Sequence, residues 1–347
     1  MNSIDDLFLN ITNFCNFHCD HCYTSSGKPF PNELSTDEVV SLLVQASQIG
    51  TGKLHFDGGE PILRYDFNEL LEMANSLGML PSIHTNGWVM SRERLEGLQG
   101  KLRKIVFSLD GAHPETHDSI RNKKGSYLRV INGIAAAKDL GFVVDVDYVV
   151  MSPNIGEIEQ AASIADGLKV DNMSFYAVEP RGFARDNWNR LKMTEEQWVD
   201  YLKRVEAVAM ENPRIRFEPA WVPKNQLHRY EFDMLCLQDE NRVLFIEPTG
   251  NVYKCPMFYR TPIALGNVRA QRLADLVNGT PPKIKRHIAL TVVEDPTSFE
   301  ENCGCPALWL KLNGRHYENG PSQDFAPICF LVSYNGQHFA KHIEQPS

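Results

Sequence analysis

Leu7-Phe8-Leu9-Asn10-Ile11-Thr12 runs almost directly into Cys15-Asn16-Phe17-His18-Cys19-Asp20-His21-Cys22. The apolar stretch reads as a strand, and the cysteines follow it in a CxxxCxxC spacing. Three thiolates that close together can each hold one iron of a 4Fe–4S cube and leave the fourth iron open. An open iron is available for chemistry, whereas an electron-transfer cluster is normally closed by four cysteines. The competing reading is a set of buried or zinc-binding cysteines. Structural zinc needs a fourth ligand, and His18 and His21 lie too close in sequence to supply it easily.

Working outward, strand-like and helix-like segments alternate as far as about residue 180. The pattern predicts strands at Leu7–Thr12, Lys53–Phe56, Pro81–His84, Lys104–Leu109, Phe142–Met151 and Asn172–Val178. Helices are predicted at Ser35–Gln48, Phe67–Leu77, Arg92–Leu98, Ser126–Leu140 and Ile155–Ala165. Such βα repeats imply a parallel sheet, and right-handed crossovers curl it toward a barrel. Barrel strands carry reactive groups at their C-terminal ends. The distinctive residues fall there: the cysteines after the first strand, Gly58-Gly59-Glu60-Pro61 after the second, Thr85-Asn86-Gly87 after the third, and Ser108 to Gly111 at the fourth.

At 347 residues the chain has room for one large α/β domain and an appendage. A net charge of −9 excludes the basic footprint that sequence-independent nucleic-acid binding requires. No run reaches the ~18 apolar residues of a membrane span, and the N-terminus has no signal-peptide pattern, so a cytoplasmic location is expected. The chain holds eight cysteines; their clustering and a reducing compartment favour metal ligation over disulfides. Composition shifts after Pro180, first to a Trp- and charge-rich helical stretch at Thr194–Met210, then to prolines 213, 219 and 223. The expected organisation is a core at 1–182, a helical linker at 183–230 and an iron–sulfur domain at 231–347. The predicted fold class is α/β, a partial (β/α)6 TIM barrel followed by a small irregular α+β domain.

The triad and the Gly-Gly-Glu-Pro turn together resemble the radical S-adenosylmethionine (radical SAM) superfamily across residues from about 5 to 180. The resemblance implies that Cys15, Cys19 and Cys22 bind a 4Fe–4S cluster whose free iron chelates S-adenosylmethionine. One-electron reduction then yields a 5′-deoxyadenosyl radical that abstracts hydrogen from substrate. Gly58, Gly59 and Glu60 match the motif that holds the methionine amino group, with Glu60 as its acceptor. His21 takes the place of an aromatic ring beside the adenine. Ser108 and Arg121 fit a subgroup pattern, Ser-Leu-Asp-Gly followed by His-Asp-x-x-Arg, and would contact ribose or carboxylate. Arg121 offers the fork a carboxylate accepts, the other reading being a surface cation. Asn86 is either a cofactor contact or a turn residue.

On the fifth strand, Asp145 and Asp147 share one face by period two and valines take the other. The outer face of a barrel strand packs on helices, so the carboxylates are expected inside, toward cofactor or substrate hydroxyls. Solvated aspartates on an edge strand are the alternative. Tyr176 and Glu179 near the end of strand six are candidates of the same kind, and Asp147 and Glu179 are taken as candidate catalytic groups.

The second cysteine group is Cys236, Cys255, Cys303, Cys305 and Cys329, and a hairpin signal at Pro248–Asn251 flanks Cys255. This region resembles the auxiliary-cluster extensions known as SPASM and, when shortened, twitch domains. The resemblance implies one auxiliary 4Fe–4S cluster, with Cys236, Cys255, Cys303 and Cys305 as the preferred ligands. Cys303-Gly304-Cys305 departs from the usual CxxC. Cys329 is then either a buried apolar cysteine or a catalytic thiol that donates hydrogen.

The resemblance also implies an electron donor such as flavodoxin or ferredoxin, and a radical oxidoreductase or epimerase. Because the first strand begins at Leu7, no leader-binding domain is expected before it. That favours a small polar substrate of sugar or cyclitol type, with maturation of a ribosomally made peptide as the alternative.

Overall fold

All seven residues of β1 (Asp6–Thr12) are buried, because the strand lies inside a sheet with parallel neighbours on both sides. The computed structural model describes residues 4–218, 221–223, 243–254, 256–260, 264–278 and 325–327. On one side of β1, the parallel series continues through β2 (Lys53–Gly58), β3 (Ser82–Thr85), β4 (Lys104–Ser108), β5 (Val144–Val150), β6 (Asn172–Ala177) and β7 (Ile215–Glu218). On the other side lies β9 (Val243–Ile246), parallel to β1. Antiparallel β10 (Asn251–Tyr253) and β11 (Gly266–Asn267) follow it. The sheet does not close: β11 and β7 are its two ends. β8 (Trp221–Pro223) and β12 (Phe325–Pro327) form a separate antiparallel pair. The chain is thus an α/β partial barrel.

Alternation along the strands divides the sheet into two surfaces. Phe56, Ile83, Ile105, Phe107, Val144, Val146 and Phe175 are at most 1% exposed and join the apolar core. Their neighbours Asp57, His84, Ser108, Asp147 and Tyr176 line a cavity on the concave side. The first surface packs on helices. These include α1 (Thr36–Gln48), α2 (Phe67–Ser76), α3 (Arg92–Glu96), α4 (Pro114–Arg121), α5 (Ser126–Asp139) and α6 (Ile158–Gly167). α1 starts at a capping box, in which Glu38 N–H donates to Ser35 and Ser35 N–H donates to Glu38.

Up to β6, strand and helix positions agree with the sequence reading to within a few residues; β7 and β8 fall in the stretch expected to be a helical linker, and there are three other differences. The predicted helix at Ile155–Ala165 begins as a 3₁₀ turn at Ile155–Glu157 before α6. α4 was not expected: its eight residues are mostly polar and bury only His117, Ile120 and Arg121. The C-terminal region adds β9 to β11 to the core sheet. There, a short helix at Leu273–Asn278 donates its Leu273 N–H to Gln45 of α1. Arg269 anchors this extension through the Glu38 carboxylate and the Asn32 and Glu33 carbonyls. Among the described residues no helix is long and apolar enough to cross a membrane.

Arg64 fastens the exit of β1 to both neighbouring helices. Its guanidinium donates to the Ile11 and Leu34 carbonyls and to Asp66, and Asp66 also accepts from Thr36 at 2.6 Å. Both members of the ion pair are buried. Arg64→Ala strands that carboxylate and should cost about 3 kcal/mol of stability in urea unfolding. A loss below about 1 kcal/mol would show that the clamp is dispensable.

Candidate active site

The exit of β2 is built against the exit of β1. Gly59 N–H donates to the Thr12 carbonyl at 2.8 Å, and Glu60 N–H donates to the Phe14 carbonyl at 2.7 Å. A Cβ at Gly58 would stand 2.2 Å from the Thr12 oxygen, and one at Gly59 would stand 2.2 Å from the Phe14 oxygen. Only glycine permits this approach, and Gly58 also has φ +135°. The turn therefore sets the backbone height of the loop that carries the cysteines.

That loop closes on itself. Cys15 N–H donates to the Gly27 carbonyl, and Gly27 N–H donates to the Asn13 carbonyl. Glu33 accepts from the backbone of Asn13 and Phe30. Two thiols receive backbone N–H groups at 3.4 Å, Cys15 from Phe17 and Cys22 from Ser26. Such donors stabilise thiolate and tune a metal bound to it. All three cysteines of the loop are free. Burial pushes the Cys15 thiol up to about 11 and the Cys19 thiol further, against the pull of nearby Arg121. Among the described residues no three His, Cys, Asp or Glu side chains are gathered around a single-ion position. A cube with one cysteine per iron needs the thiols spread out, so this donor set fits a cluster better than zinc.

The cavity beside the loop has a volume of about 280 Å³. Cys15, Cys19, Cys22, Gly58, Gly59, His21, Asn86, Ser108, Arg121, Asp147 and Glu179 all line it. The structure therefore brings together the sequence-predicted site residues of the core except Glu60 and Asp145. Glu60 is fully buried behind the wall, where its oxygens accept from Thr85 Oγ1 at 2.8 Å and Asn86 N–H at 2.7 Å. Burial pushes its carboxyl up to about 7, offset in part by those two donors. Glu60 thus stands behind the cavity wall rather than on it, and it braces Asn86. Asn86 in turn donates to Asn16 at 2.9 Å and approaches the Cys15 sulfur at 3.8 Å.

Arg121 reaches the cavity from the end of α4. Its Nε and Nη2 lie 2.7 and 2.6 Å from Asp110 Oδ2, and Asp110 Oδ1 accepts from Val149 N–H at 3.0 Å. Burial works to raise the Asp110 carboxyl. The opposing charges of Arg121, His21 and His117 outweigh it and hold the group below the ordinary range. His21 Nε2 is 3.4 Å from the same carboxylate, while its buried Nδ1 has no hydrogen-bond partner. A polar ligand in the cavity would satisfy that orphaned nitrogen. With glycine backbone, a cation and an aromatic-like ring around one cavity, the residues fit S-adenosylmethionine.

The opposite side of the cavity is acidic. His84 stands between two aspartates, with Nδ1 3.5 Å from Asp57 and Nε2 3.8 Å from Asp147. Asp145 lies lower on the same strand face, where Lys104 pairs with it at 2.5 Å and Asn172 Nδ2 donates to it at 2.9 Å. Asp147 has no such salt bridge, and burial pushes its carboxyl up to about 6 despite His84 and Lys104. Glu179 pairs with Arg181 at 2.7 Å. Arg181 also lies 4.8 Å from the Tyr23 ring centre and donates to the Pro256 carbonyl at 2.9 Å. Gly182 packs on the cysteine loop, its missing Cβ leaving room for the Cys22 oxygen.

Sequence reasoning passed over Asp57, His84, Asp110 and Arg181. Alternation places His84 two residues after Ser82, and Asp57 directly precedes the glycine pair, so period two could have assigned both inward. Asp110 and Arg181 have no local signal, because their partners come from other parts of the chain. Cys236, Cys255, Cys303, Cys305 and Cys329 lie outside the described residues.

The sequence matches the radical SAM superfamily over residues 9–165 and the SPASM iron–sulfur cluster-binding domain over residues 236–306. It is 30% identical to the PqqA peptide cyclase of Rhizobium meliloti over 78% of this chain and 72% of that protein. It is 28% identical to mycofactocin maturase MftC of Mycolicibacterium smegmatis, over 76% of this chain and 67% of that protein. An AdoMet-dependent heme synthase of Methanosarcina barkeri is 23% identical over 85% of this chain and 86% of its own. In fold it resembles Streptococcus suis SuiB, solved bound to the precursor peptide SuiA, with a TM-score of 0.67 and 16% identity. That match covers 81% of this chain and 66% of SuiB, so the chain spans about two thirds of SuiB's length.

The chain belongs to the radical SAM superfamily, in the subgroup that carries a SPASM iron–sulfur domain. It is a radical SAM enzyme, and its cofactors are S-adenosylmethionine, a 4Fe–4S cluster and auxiliary iron–sulfur in the SPASM domain.

Asp147 is destabilising when ionised, since burial pushes its carboxyl from the ordinary 3.8 up to about 6. Its favourable contribution is complete below the unfolded value and is lost as pH rises through about 6. Asp147→Asn should therefore stabilise the protein by about 1–3 kcal/mol at pH 7.5. Urea unfolding should show the gain shrinking below pH 6 and vanishing near 3.8. An equal gain at both ends would refute burial of the charge as its source.

Proposed function

We infer that this enzyme modifies a peptide, carrying out a radical oxidation, bond formation or epimerisation on one of its residues. The observation that supports this best is the 30% identity to a peptide cyclase along three quarters of the chain. The small sugar or cyclitol substrate expected from the sequence takes second place. A heme synthase of similar coverage but lower identity is the weaker guide.

In this reading Cys15, Cys19 and Cys22 hold the cluster. The Gly58–Gly59 backbone, Asn86, Ser108, Arg121 and His21 surround S-adenosylmethionine. When bound, these groups supply a reductive cleavage that starts hydrogen-atom abstraction from substrate. The chain's own residues orient and protect that event. The Glu60–Asn86 brace and the Gly58–Gly59 ladder fix the cysteine loop, and the Asp110–Arg121 pair fixes a cation beside it. Asp147, Asp57 and His84 face the substrate side. Asp147 titrates near pH 6 and can hold or release a proton there. Glu179, tied to Arg181, closes the wall toward Pro256. Auxiliary ligation by Cys236, Cys255, Cys303 and Cys305 is supported by the span of the SPASM match, which contains all four and ends before Cys329. Cys329 stays a candidate hydrogen-donating thiol.

Anaerobic reconstitution should load about eight irons per chain. A triple Cys15→Ala, Cys19→Ala, Cys22→Ala variant should keep about four and lose S-adenosylmethionine cleavage. Cleavage by that variant would overturn the ligand assignment.

The substrate class is tested by mass spectrometry of peptides encoded beside the gene, incubated with the reduced enzyme. Loss of two hydrogens marks oxidation or cross-linking, and solvent deuterium without other change marks epimerisation. No change in any such peptide, alongside turnover of a sugar or a heme precursor, would reject the peptide reading. Cys329→Ala that keeps its iron but no longer epimerises would assign the donor, whereas iron loss would make it a ligand.

A further inference from the structure

Beside the cysteine loop, outside the cavity, lies a run of basic residues in a chain of net charge −9. The turn between α4 and α5 is tied onto the loop. Asp20 N–H donates to the Ile120 carbonyl, and Asn122 Nδ2 donates to the His18 carbonyl at 2.8 Å. This turn carries Lys123 and Lys124, and the first turn of α5 adds Arg129. Lys123 and Arg129 both sit on the ring of Trp88, at 4.6 and 4.9 Å from its centre. Trp88 meets Phe17 edge-on at 5.7 Å. Phe17 lines the cavity, and its own N–H donates to the Cys15 sulfur.

Two cations on one ring gain cation–π attraction but repel each other. Among the described residues no carboxylate lies within ion-pair distance of Lys123, Lys124 or Arg129, whereas Arg92, Lys138 and Arg204 on the same domain each have one. Leu128, beside Arg129, is 61% exposed. Unpaired cations around an aromatic ring, with an exposed leucine next to them, form a surface suited to an acidic protein. The patch lies outside the cavity, with Phe17 between them, so it is separate from the substrate's place. It is also the outer cover of the Cys15 side of the loop.

We propose that Lys123, Lys124, Arg129 and Trp88 form the docking surface for a small acidic one-electron carrier protein that reduces the cluster. The proposal rests on the cluster assignment given above. One electron leaves the carrier and enters the cluster, and no bond is made or broken in that transfer. A contact of this kind is small and salt-sensitive, as transient redox encounters are.

The test uses the reconstituted enzyme with an acidic flavodoxin as probe. Calorimetry should show binding that weakens as salt rises. The Lys123→Glu, Lys124→Glu, Arg129→Glu triple variant should bind at least about tenfold more weakly. The corresponding triple Gln variant, which avoids new repulsion, should lie between. Reduction by dithionite, a small anion that needs no docking surface, should proceed in both variants as in the parent when followed by cluster absorbance. Unchanged flavodoxin affinity in the Glu variant would overturn the proposal. So would a loss of affinity for a precursor peptide while flavodoxin binding persists, since that would assign the patch to substrate. Dithionite-driven S-adenosylmethionine cleavage reports separately on the underlying reading, and the calorimetry decides docking whatever that reaction gives.

Discussion

The close approach of the Gly58–Gly59 backbone to the exit of β1 is the constraint on which the site depends. Two carbonyl oxygens, of Thr12 and Phe14, occupy the space where side chains would begin. Their acceptance of the Gly59 and Glu60 N–H groups extends the β1–β2 pairing past the sheet. This fixes where the cysteine loop leaves the barrel. Glu60 then lies buried, and its one carboxylate orders the exit of β3 through Thr85 and Asn86. Asn86 hands that order back to the cysteine loop. Three strand ends are thus locked by backbone geometry and a single buried acid.

A second lock comes from farther along the chain. Asp110 after β4 joins Arg121 of α4 to the backbone of β5, and Gly182 after β6 packs on the Cys22 carbonyl. The rim is held from both sides, which is the preorganisation a reactive site requires. The concave face between them keeps polar groups that a packed barrel would replace with aliphatic layers. Asp147 bears the cost of this arrangement in its raised pKa, a usual compromise between stability and function.

Much of this was legible in the sequence. The β1–β6 order follows from alternating patterns, and the cysteine triad, Gly58–Gly59, Ser108, Arg121 and Asp147 converge on one cavity because barrel topology brings strand ends together. What escaped was relational. α4 is too short and polar to show amphipathic periodicity, yet it delivers Arg121. Glu60 reads as a wall residue of the cavity until Thr85 and Asn86 are seen to hold it behind that wall. His84 needs Asp57 and Asp147 beside it before it becomes part of an acidic wall. The extension of the core sheet by β9 to β11 depends on long-range pairing with β1, which a local pattern does not encode.

The sequence by itself determined the chemistry: three clustered thiols, a glycine pair and later cysteines specify iron–sulfur and radical SAM membership through residue type and spacing. Tertiary structure decided which polar groups are spoken for and which are free to act. That distinction rests on partners distant in the chain. A buried carboxylate such as Glu60 is satisfied by two neighbours across the barrel, whereas Asp147 lines the cavity and the buried His21 Nδ1 is left without a partner. Spacing along a chain records which groups are present. Only packing in three dimensions sets their hydrogen bonds and their charge.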